Sequence, residues 1–431
     1  MRGMLDLHRS WAYATLVVLT LWPSTSAAAA AGVGVGAATA PAAPPVTFDT
    51  NFEGGSIGRI EVVGPAEFRC HVAGQCDERG HNRQASWYYF RLRHADGRAI
   101  ALTLTDFVGE YDDKPGAVAM GPGILPVFST DGSHWTHFTD GWWDDKKKEL
   151  TLHFTPAGEE LFIAHVPPYT PADLGRLLAD VSRSADARVE VIGRTCRGRE
   201  IPMVTVTDFA TPDDGKRFVW LQARQHAWEA GTSYVMEGAL RFITSVEDPA
   251  ARELRRTTVF HFTPMVDLDG CASGGVRFNA NGYDVNRHWP EVDLRRPEML
   301  RLMPEIWYTK KAIVSAQRER PIDVLVNLHN TETGEFMQTE AAADSRPGRT
   351  IRRLFDLLSE RTTFDPSQPL VVRPQPGGQS TTLYSEHQVP IVLLEQRIAV
   401  GKKLGRRPTV EDRLAFGRQL VAVMVEAARA E

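Results

Sequence analysis

The stretch "RFVWLQARQHAWEAG", residues 217–231, begins with an apolar run and then presents a histidine and a glutamate three positions apart, His226 and Glu229. The apolar run is typical of a buried β-strand. Similar runs, "TTVFHFTPMVD", "IDVLVNLHN" and "VPIVLLEQR", alternate with helical stretches such as "SYVMEGALRFITSV" and "EDRLAFGRQLVAVMVEAARA". Apolar strands separated by helices predict an α/β fold with a mostly parallel mixed sheet flanked by helices.

The sequence before this sheet has a different pattern. Short strands alternate around turns at Asp96-Gly97 and Ala157-Gly158, which is typical of an antiparallel β-sandwich. The segment "PPYTPAD" then interrupts the strand pattern, and Pro171 is suited to open a helix. We therefore predict a β-sandwich domain over residues 47–167 and a second domain over residues 168–431.

Residues 1–46 are expected to lie outside both domains. Arg2 and Arg9 precede an apolar segment at residues 11–22, and the small residues of "STSAAAAAG" follow it, which is typical of a secretory signal. The apolar segment is shorter than the roughly 20 residues that a membrane helix needs. We predict a signal peptide at residues 1–30, a disordered Ala/Gly/Pro leader at 31–46, and a secreted or periplasmic protein with no stable membrane span after cleavage.

The composition is that of a soluble globular protein with a large core. The chain has 431 residues, of which 42% are hydrophobic and 24% charged, and its net charge is -5. The absence of a long basic run argues against a nucleic-acid-binding protein. Cys70 and Cys76 are equally compatible with a short disulfide loop and with isolated thiols. The sequence gives no indication of the oligomeric state.

The histidine and glutamate of the opening stretch are candidate metal ligands. A catalytic zinc ion needs about three protein ligands and an open position. His226 and Glu229 offer two ligands, and His329, at the end of "DVLVNLH", is the best placed third. It follows another buried strand, and ligands of such sheets bind at the carboxyl ends of the strands. We expect one zinc ion per chain at this edge.

Other polar residues are placed to act beside such a metal. The segment "GGVRFNANGYDVNRHW", residues 274–289, carries Arg277 and the Asn286-Arg287 pair in a Gly- and Asn-rich loop. Fixed donors of this kind bind anions or stabilise a developing oxyanion. Glu395 ends an otherwise apolar strand, where burial would raise its pKa towards that of a useful general base.

Four motifs, in the order "RQHAWE", "GYDVNRHW", "VNLH" and "VLLEQR", resemble those of the zinc carboxypeptidases. The sandwich ahead of them is similar to that of the cytosolic carboxypeptidase-like branch of this family. The resemblance extends from about Phe48 to the C-terminus. It implies that residues 168–431 form a zinc carboxypeptidase catalytic domain.

Carried over to matching positions, the resemblance implies that three residues bind zinc, namely His226, Glu229 and His329. It implies that Glu395 is the general base and that Arg277 polarises the scissile carbonyl. Asn286 and Arg287 would hold the terminal carboxylate of the substrate.

One expected residue of the family has no clear counterpart. The family's mobile tyrosine should precede the general base, near the position where this chain has Arg373 in "VVRPQPGG". Tyr384 lies closer to Glu395 along the chain. Arg373 and Tyr384 are therefore both kept as candidate substrate-binding residues.

The sequence thus predicts a zinc-dependent metallocarboxypeptidase that acts on peptides with a free C-terminus. A zinc-dependent deacylase or amidase of small acyl-amino acids is one alternative. A catalytically inactive, secreted binding protein with a Trp-rich sandwich is another. The lack of a G-x-S-x-G motif, and of an evident partner for Cys271, weighs against a Ser or Cys hydrolase.

Overall fold

The computed structural model of the chain describes residues 44–118 and 120–429. The predicted signal peptide and residues 31–43 of the predicted leader lie outside the described residues. The described chain begins at Pro44, whose carbonyl accepts a hydrogen bond from Arg98. Val46 already packs against the hydrophobic core.

The N-terminal part consists of short strands. They are β1 (Thr47–Asp49), β2 (Ile60–Gly64), β3 (Glu67–His71), β4 (Gln75–Cys76), β5 (Arg83–Gln84), β6 (Tyr89–Arg93), β7 (Ile100–Thr105), β8 (Val108–Tyr111), β9 (Lys114–Val118), β10 (Val127–Ser129), β11 (Thr136–His137), β12 (Trp142–Asp144), β13 (Glu149–Phe154) and β14 (Glu160–Ala164).

These strands confirm the predicted β-sandwich. One sheet has the order β1-β6-β14-β10-β11 and the other has the order β12-β13-β7-β3-β2. Their inner faces pack together, as the rings of Phe48 and Phe68 show at 5.1 Å between centroids. The strand pairs are antiparallel except β3–β7, which is parallel. A smaller sheet, β4-β5-β8-β9, stands beside them.

The two turns singled out in the sequence pass from one sheet to the other. The Asp96-Gly97 turn joins β6 to β7, and the Ala157-Gly158 turn joins β13 to β14. In each case the two strands belong to different sheets.

The cysteines at positions 70, 76, 196 and 271 are all described, and all are free thiols.

The second part alternates strands and helices. Its strands are β15 (Ala187–Arg194), β16 (Glu200–Val206), β17 (Arg217–Gln222), β18 (Thr258–Thr263), β19 (Val324–Thr331), β20 (Phe336–Thr339), β21 (Val371–Val372) and β22 (Ile391–Arg397). Its helices are α1 (Pro171–Val181), α2 (Gly231–Ile243), α3 (Pro249–Thr257), α4 (Leu268–Ser273), α5 (Glu298–Leu302), α6 (Pro304–Glu319), α7 (Arg346–Arg361), α8 (Gln379–His387) and α9 (Val410–Arg429).

The predicted mixed sheet is confirmed as an eight-stranded sheet in the order β15-β16-β18-β17-β19-β22-β20-β21. The central pairs β17–β18, β17–β19 and β19–β22 are parallel. These strands are almost entirely buried, which explains their continuous apolar sequences.

Within the two described ranges, no helix has both the length and the apolar character needed to cross a membrane.

Helix α1 begins where the sequence predicts. Thr170 caps it by accepting a hydrogen bond from the backbone N–H of Asp173, whose side chain in turn accepts one from the Thr170 backbone. Pro171 occupies the first helical turn, where its missing N–H costs no hydrogen bond.

Helices α2 and α9 cover the sheet and touch backbone to backbone. A Cβ atom added to Gly417 would lie 1.9 Å from the Val235 carbonyl oxygen, and one added to Gly238 would lie 2.0 Å from the Leu414 carbonyl oxygen. The close approach therefore requires glycine on both helices.

We expect Gly417→Ala to lower the free energy of unfolding by about 2 kcal/mol or more, because the added methyl group forces the two helices apart. Chemical denaturation measures this effect. Gly175→Ala in α1 is the matched control, since a Cβ atom there meets nothing within 4 Å. It is expected to be neutral or slightly stabilising. Equal stability of the two variants would show that α2 and α9 are not in backbone contact.

Candidate active site

The structure brings together the three residues predicted as metal ligands. His226 and Glu229 lie in the loop between β17 and α2, and His329 lies near the end of β19. The Nδ1 atom of His226 is 2.8 Å from Oε1 of Glu229, and Nδ1 of His329 is 3.0 Å from Oε2 of Glu229. One ligand atom from each residue lies within 4.8 Å of the others, and all three residues are buried.

The surroundings of this cluster suit a zinc ion. Two imidazole nitrogens and one carboxylate form a donor set that catalytic zinc sites use. The outer ring nitrogens are also held, since Nε2 of His226 is 3.2 Å from Oδ1 of Asp284 and Nε2 of His329 is 3.2 Å from Oε1 of Gln225. Such outer contacts fix the orientation of metal-binding histidines. The residues present therefore fit zinc.

Asp284 and Gln225 are functional candidates that the sequence reasoning missed. Asp284 lies in the quoted segment "GYDVNRHW" and Gln225 directly precedes His226. The Asn327 side chain donates a hydrogen bond to Oε1 of Gln225 at 2.7 Å, which fixes that oxygen beside His329. The available signal was their position in the chain, Gln225 next to the predicted ligand His226 and Asp284 two residues before the predicted substrate-binding residue Asn286.

The charges of the cluster favour an ionised Glu229. Burial alone would raise the pKa of this carboxyl, but His329 and His226 outweigh burial and lower it. Burial likewise opposes ionisation of Asp284, yet Arg277 and His226 hold its pKa well below the usual value. Both carboxylates are therefore negative and available to stabilise positive charge.

Glu395 stands beside the cluster on the neighbouring strand. Strands β19 and β22 pair in parallel, and their register places Glu395 opposite His329. The Oε2 atom of Glu395 is buried and has no hydrogen-bond partner among the described residues. Burial raises the pKa of this carboxyl well above its usual value, Glu229 adds to the rise, and Arg277 opposes it.

Arg277 points one side of its guanidinium at a carboxylate. Its Nε atom donates to Oδ2 of Asp284 at 2.6 Å. Within the described ranges its two terminal nitrogens make no hydrogen bond. Burial lowers the pKa of Arg277, but Asp284 and Glu229 outweigh burial and raise it. The Arg277 side chain is thus a cation held in one position, and its terminal N–H groups are available to bind an oxygen.

Arg287 is a half-buried cation for which the described part of the chain provides no ion pair. Its guanidinium donates to the Asn286 carbonyl at 2.8 Å, and it forms no salt bridge with any described residue. Burial and the nearby Arg277 lower its pKa. An unpaired cation in such a place is suited to receive an anion.

Asn286 reaches the site beside His329. Its Oδ1 accepts a hydrogen bond from the Gln379 backbone N–H at 3.0 Å. That contact directs the amide nitrogen towards the site, where it lies 3.3 Å from Nε2 of His329. Asn286 itself is buried.

A cavity of about 480 Å³ opens in front of these arginines. Arg277, Asp284 and Arg287 line one side of it, and His81 and Tyr111 from the N-terminal part line the other. The small sheet of β4, β5, β8 and β9 supplies this second wall. The N-terminal part therefore borders the candidate active site, and the sequence reasoning missed Tyr111.

The two candidates for the family's tyrosine lie elsewhere. Arg373 is exposed just after β21, and its backbone N–H donates to the Thr339 carbonyl at 3.0 Å. Tyr384 lies in α8 and packs partly buried against apolar core residues. Neither of these described residues lines the cavity.

Two family descriptions match this chain. Residues 176–344 match the family described as "Zinc carboxypeptidase". Residues 48–165 match the domain described as "Cytosolic carboxypeptidase N-terminal domain". The two matches follow each other along the chain in the order that the sequence resemblance implies.

Relatives show the same likeness over longer stretches. The chain is 28% identical over 415 residues to cytosolic carboxypeptidase 2 of Mus musculus, covering 88% of this chain and 46% of that protein. It is 31% identical over 220 residues to an uncharacterised protein of Zymomonas mobilis, covering 50% of this chain and 53% of that protein. The chain thus spans about half the length of these relatives.

A solved structure shares the fold. The metallo-carboxypeptidase from Burkholderia cenocepacia superposes with a TM-score of 0.77 at 22% identity. The superposition covers 89% of this chain and 99% of that chain. It therefore includes both the sandwich and the mixed sheet.

The predicted secreted or periplasmic localisation is wrong. The matched N-terminal domain is that of the cytosolic carboxypeptidases. The named relatives from Mus musculus, Danio rerio and Bos taurus are likewise cytosolic carboxypeptidases, which contradicts the predicted export. The prediction rested on the apolar and Ala-rich composition of residues 1–30. Such a composition resembles a secretory signal but does not demonstrate export.

The fold, the ordered motifs and the two matched domains agree with one another. A mixed sheet carries the His-Glu-His cluster at one edge, and a β-sandwich of the cytosolic carboxypeptidase type precedes it. By these matches, residues 176–344 belong to the zinc carboxypeptidase family and residues 48–165 to the N-terminal domain of the cytosolic carboxypeptidases.

Proposed function

We propose that the protein is a zinc-dependent metallocarboxypeptidase that removes C-terminal residues from peptides. In this proposal one zinc ion per chain is held by three residues, His226, Glu229 and His329. Glu395 acts as the general base, and Arg277 stabilises the oxyanion. Arg287 and Asn286 hold the terminal carboxylate of the substrate.

The observation that carries the proposal is the position of Glu395. A buried carboxylate oxygen without a partner is costly unless it has a task. This one lies on the strand next to His329, in register with it. A base beside a metal-ligand cluster is the arrangement that peptide hydrolysis by activated water requires.

The chemistry follows from these groups. Zinc, when bound, supplies Lewis acidity that polarises a carbonyl and makes water more acidic. Glu395 takes a proton from the attacking water and later gives it to the leaving amine nitrogen. Arg277, fixed by Asp284, directs its free terminal nitrogens to the oxygen on which negative charge develops.

The limit to chain ends follows from Arg287. A guanidinium binds a carboxylate through charge-assisted and often bidentate hydrogen bonds. Only the last residue of a peptide offers a backbone carboxylate, so an internal peptide bond would leave Arg287 without its partner. The wall that carries Tyr111 gives the cavity the extent to accept a peptide.

Arg287→Ala tests this assignment. We expect kcat/KM on a peptide with a free C-terminus to fall about tenfold to a hundredfold, because a charge-assisted contact is lost. Hydrolysis of the same peptide with a C-terminal amide, already poor, should change by less than about threefold. Paired assays of the two peptides measure the ratio.

Arg295→Ala is the control for this experiment. Arg295 is exposed and paired with Asp293 at the surface, so its loss should leave both activities unchanged. An equal loss on both peptides in Arg287→Ala would assign Arg287 a structural role. That result would favour the deacylase or amidase alternative over the carboxypeptidase.

A further inference from the structure

Gln75 of the N-terminal part binds the backbone of the segment that carries Arg277. Its Oε1 accepts hydrogen bonds from three consecutive N–H groups, those of Val276 at 2.8 Å, Arg277 at 2.8 Å and Phe278 at 2.9 Å. Its Nε2 donates to the Phe278 carbonyl at 2.7 Å. One side chain thus makes four hydrogen bonds to three successive residues.

The segment held by Gln75 is connected to the metal-ligand loop. The Val276 carbonyl accepts a hydrogen bond from the backbone N–H of Trp228 at 3.0 Å, and Trp228 lies between His226 and Glu229 in the chain. The Arg277 side chain continues from the same segment to Asp284. The direction of the guanidinium therefore depends on where this backbone lies.

Gln75 itself is firmly placed. The Arg83 guanidinium donates to the carbonyls of Val72 at 2.6 Å and Ala73 at 3.2 Å, which fixes the turn leading into β4. Gly74 has a φ of 69°, in the left-handed region that glycine adopts without strain. Gln75 then pairs with Gln84 across β4 and β5. A side chain on such a support can hold a functional group in place.

We propose that Gln75 is a positioning residue for Arg277, so that the N-terminal domain completes the active site of the catalytic domain. Three N–H groups converging on one oxygen define the orientation of the Arg277 backbone more tightly than any single contact. The inference rests on the proposed role of Arg277 in stabilising the oxyanion. It adds that a residue more than 200 positions away in the chain fixes the position of Arg277.

Loss of the Gln75 side chain would leave backbone N–H donors unpaired. Removing the Gln75 carboxamide leaves three neighbouring N–H groups without this acceptor, in a partly buried place. The segment would then shift or recruit water, and the Arg277 guanidinium would move with it. A displacement of about 1 Å in a catalytic group can cost up to about a hundredfold in rate.

A double-mutant cycle on the full-length zinc enzyme tests the proposal. We expect Arg277→Ala to lower kcat about a hundredfold or more, as the loss of an oxyanion donor does. Gln75→Ala should lower kcat about tenfold with KM little changed. The double variant should be no slower than Arg277→Ala alone, because Gln75 acts only through Arg277.

Gln75→Met is the second variant, since it keeps the side-chain volume and removes both hydrogen-bonding groups. It should lower kcat as Gln75→Ala does. Asn51→Ala is the matched control, because the Asn51 carboxamide is exposed on the same domain and makes no hydrogen bond within the described residues. Zinc content should equal that of the wild type in all these variants.

Hydrogen exchange gives a readout that does not depend on activity. In Gln75→Ala the amides of residues 276–278 should exchange faster than in the wild type, while those of the α2 helix should not. Unchanged exchange at 276–278 would overturn the proposal. Loss of zinc from Gln75→Ala would also overturn it, because Gln75 would then support the metal-ligand loop.

The kinetic outcomes distinguish a failure of the Gln75 role from a failure of the proposed function. If Arg277→Ala is impaired while both Gln75 variants match the wild type, the positioning role is wrong and the proposed function stands. Multiplying losses in the double variant would likewise contradict it, since Gln75 would act by another route. If Arg277→Ala keeps full activity, the proposed role of Arg277 fails first.

Discussion

Alanine at His226 or at His329 is expected to remove most of the zinc that the wild-type protein binds, and with it the hydrolytic activity. The wild type should hold about one zinc ion per chain. Either substitution leaves two of the three ligands, and the remaining pair cannot close a zinc site with an open fourth position. Metal analysis of dialysed protein measures the loss, and added zinc should restore little activity.

His153→Ala is the control for zinc content. His153 is exposed on β13 in the N-terminal sandwich, so its removal should leave the metal in place. Circular dichroism of each variant separates loss of metal from loss of fold. Full zinc content in both His226→Ala and His329→Ala would refute the ligand assignment, and the buried Glu229 would then need another partner.

The meeting of His226, Glu229 and His329 was predictable from the sequence because it follows from strand direction. The carboxyl ends of parallel strands lie at one edge of a sheet, and these residues follow or end such strands. The register that sets Glu395 opposite His329 was not predictable. It depends on how the buried side chains of β19 and β22 pack, which the apolar sequences do not distinguish.

Side-chain contacts between residues far apart in the sequence were not predictable either. Asp284 contacts His226 from 58 positions away, and Gln75 contacts Arg277 from 202 positions away. Local sequence indicates that an Asp or a Gln is polar, but not which group it meets after folding. The first contact forms when two loops of the mixed-sheet part meet, and the second forms when the small sheet of the N-terminal part packs against that part.

The sandwich shows the same limit for turns. Asp96-Gly97 is a strong turn signal because glycine adopts a positive φ, and Gly97 has a φ of 65°. The signal predicts that the chain reverses but not which strand it pairs with next. Here β6 and β7 separate into two sheets. Alternation of apolar residues fits both outcomes, since each strand buries one face in either case.

Glu395→Gln is expected to separate binding from chemistry. The amide keeps the size of the side chain but cannot take a proton, so kcat should fall by about 10² to 10⁴. Zinc content and the affinity for a peptide product should stay near wild-type values, because neither is assigned to Glu395. Steady-state kinetics combined with metal analysis and calorimetric titration of the product measures all three quantities.

The neighbouring carboxylates make this experiment decisive. Burial also raises the pKa of Glu332, and the charge of Glu229 adds to the rise, so Glu332 is an alternative candidate for the base. Glu332→Gln should lower kcat far less than Glu395→Gln does, since Glu395, and not Glu332, stands in register with His329. Glu159→Gln, at an exposed surface pair, should change nothing. A larger loss of kcat in Glu332→Gln than in Glu395→Gln would assign the general base to Glu332, in the loop after β19. Equal losses of kcat would mean that the two carboxylates share one proton and act as a unit.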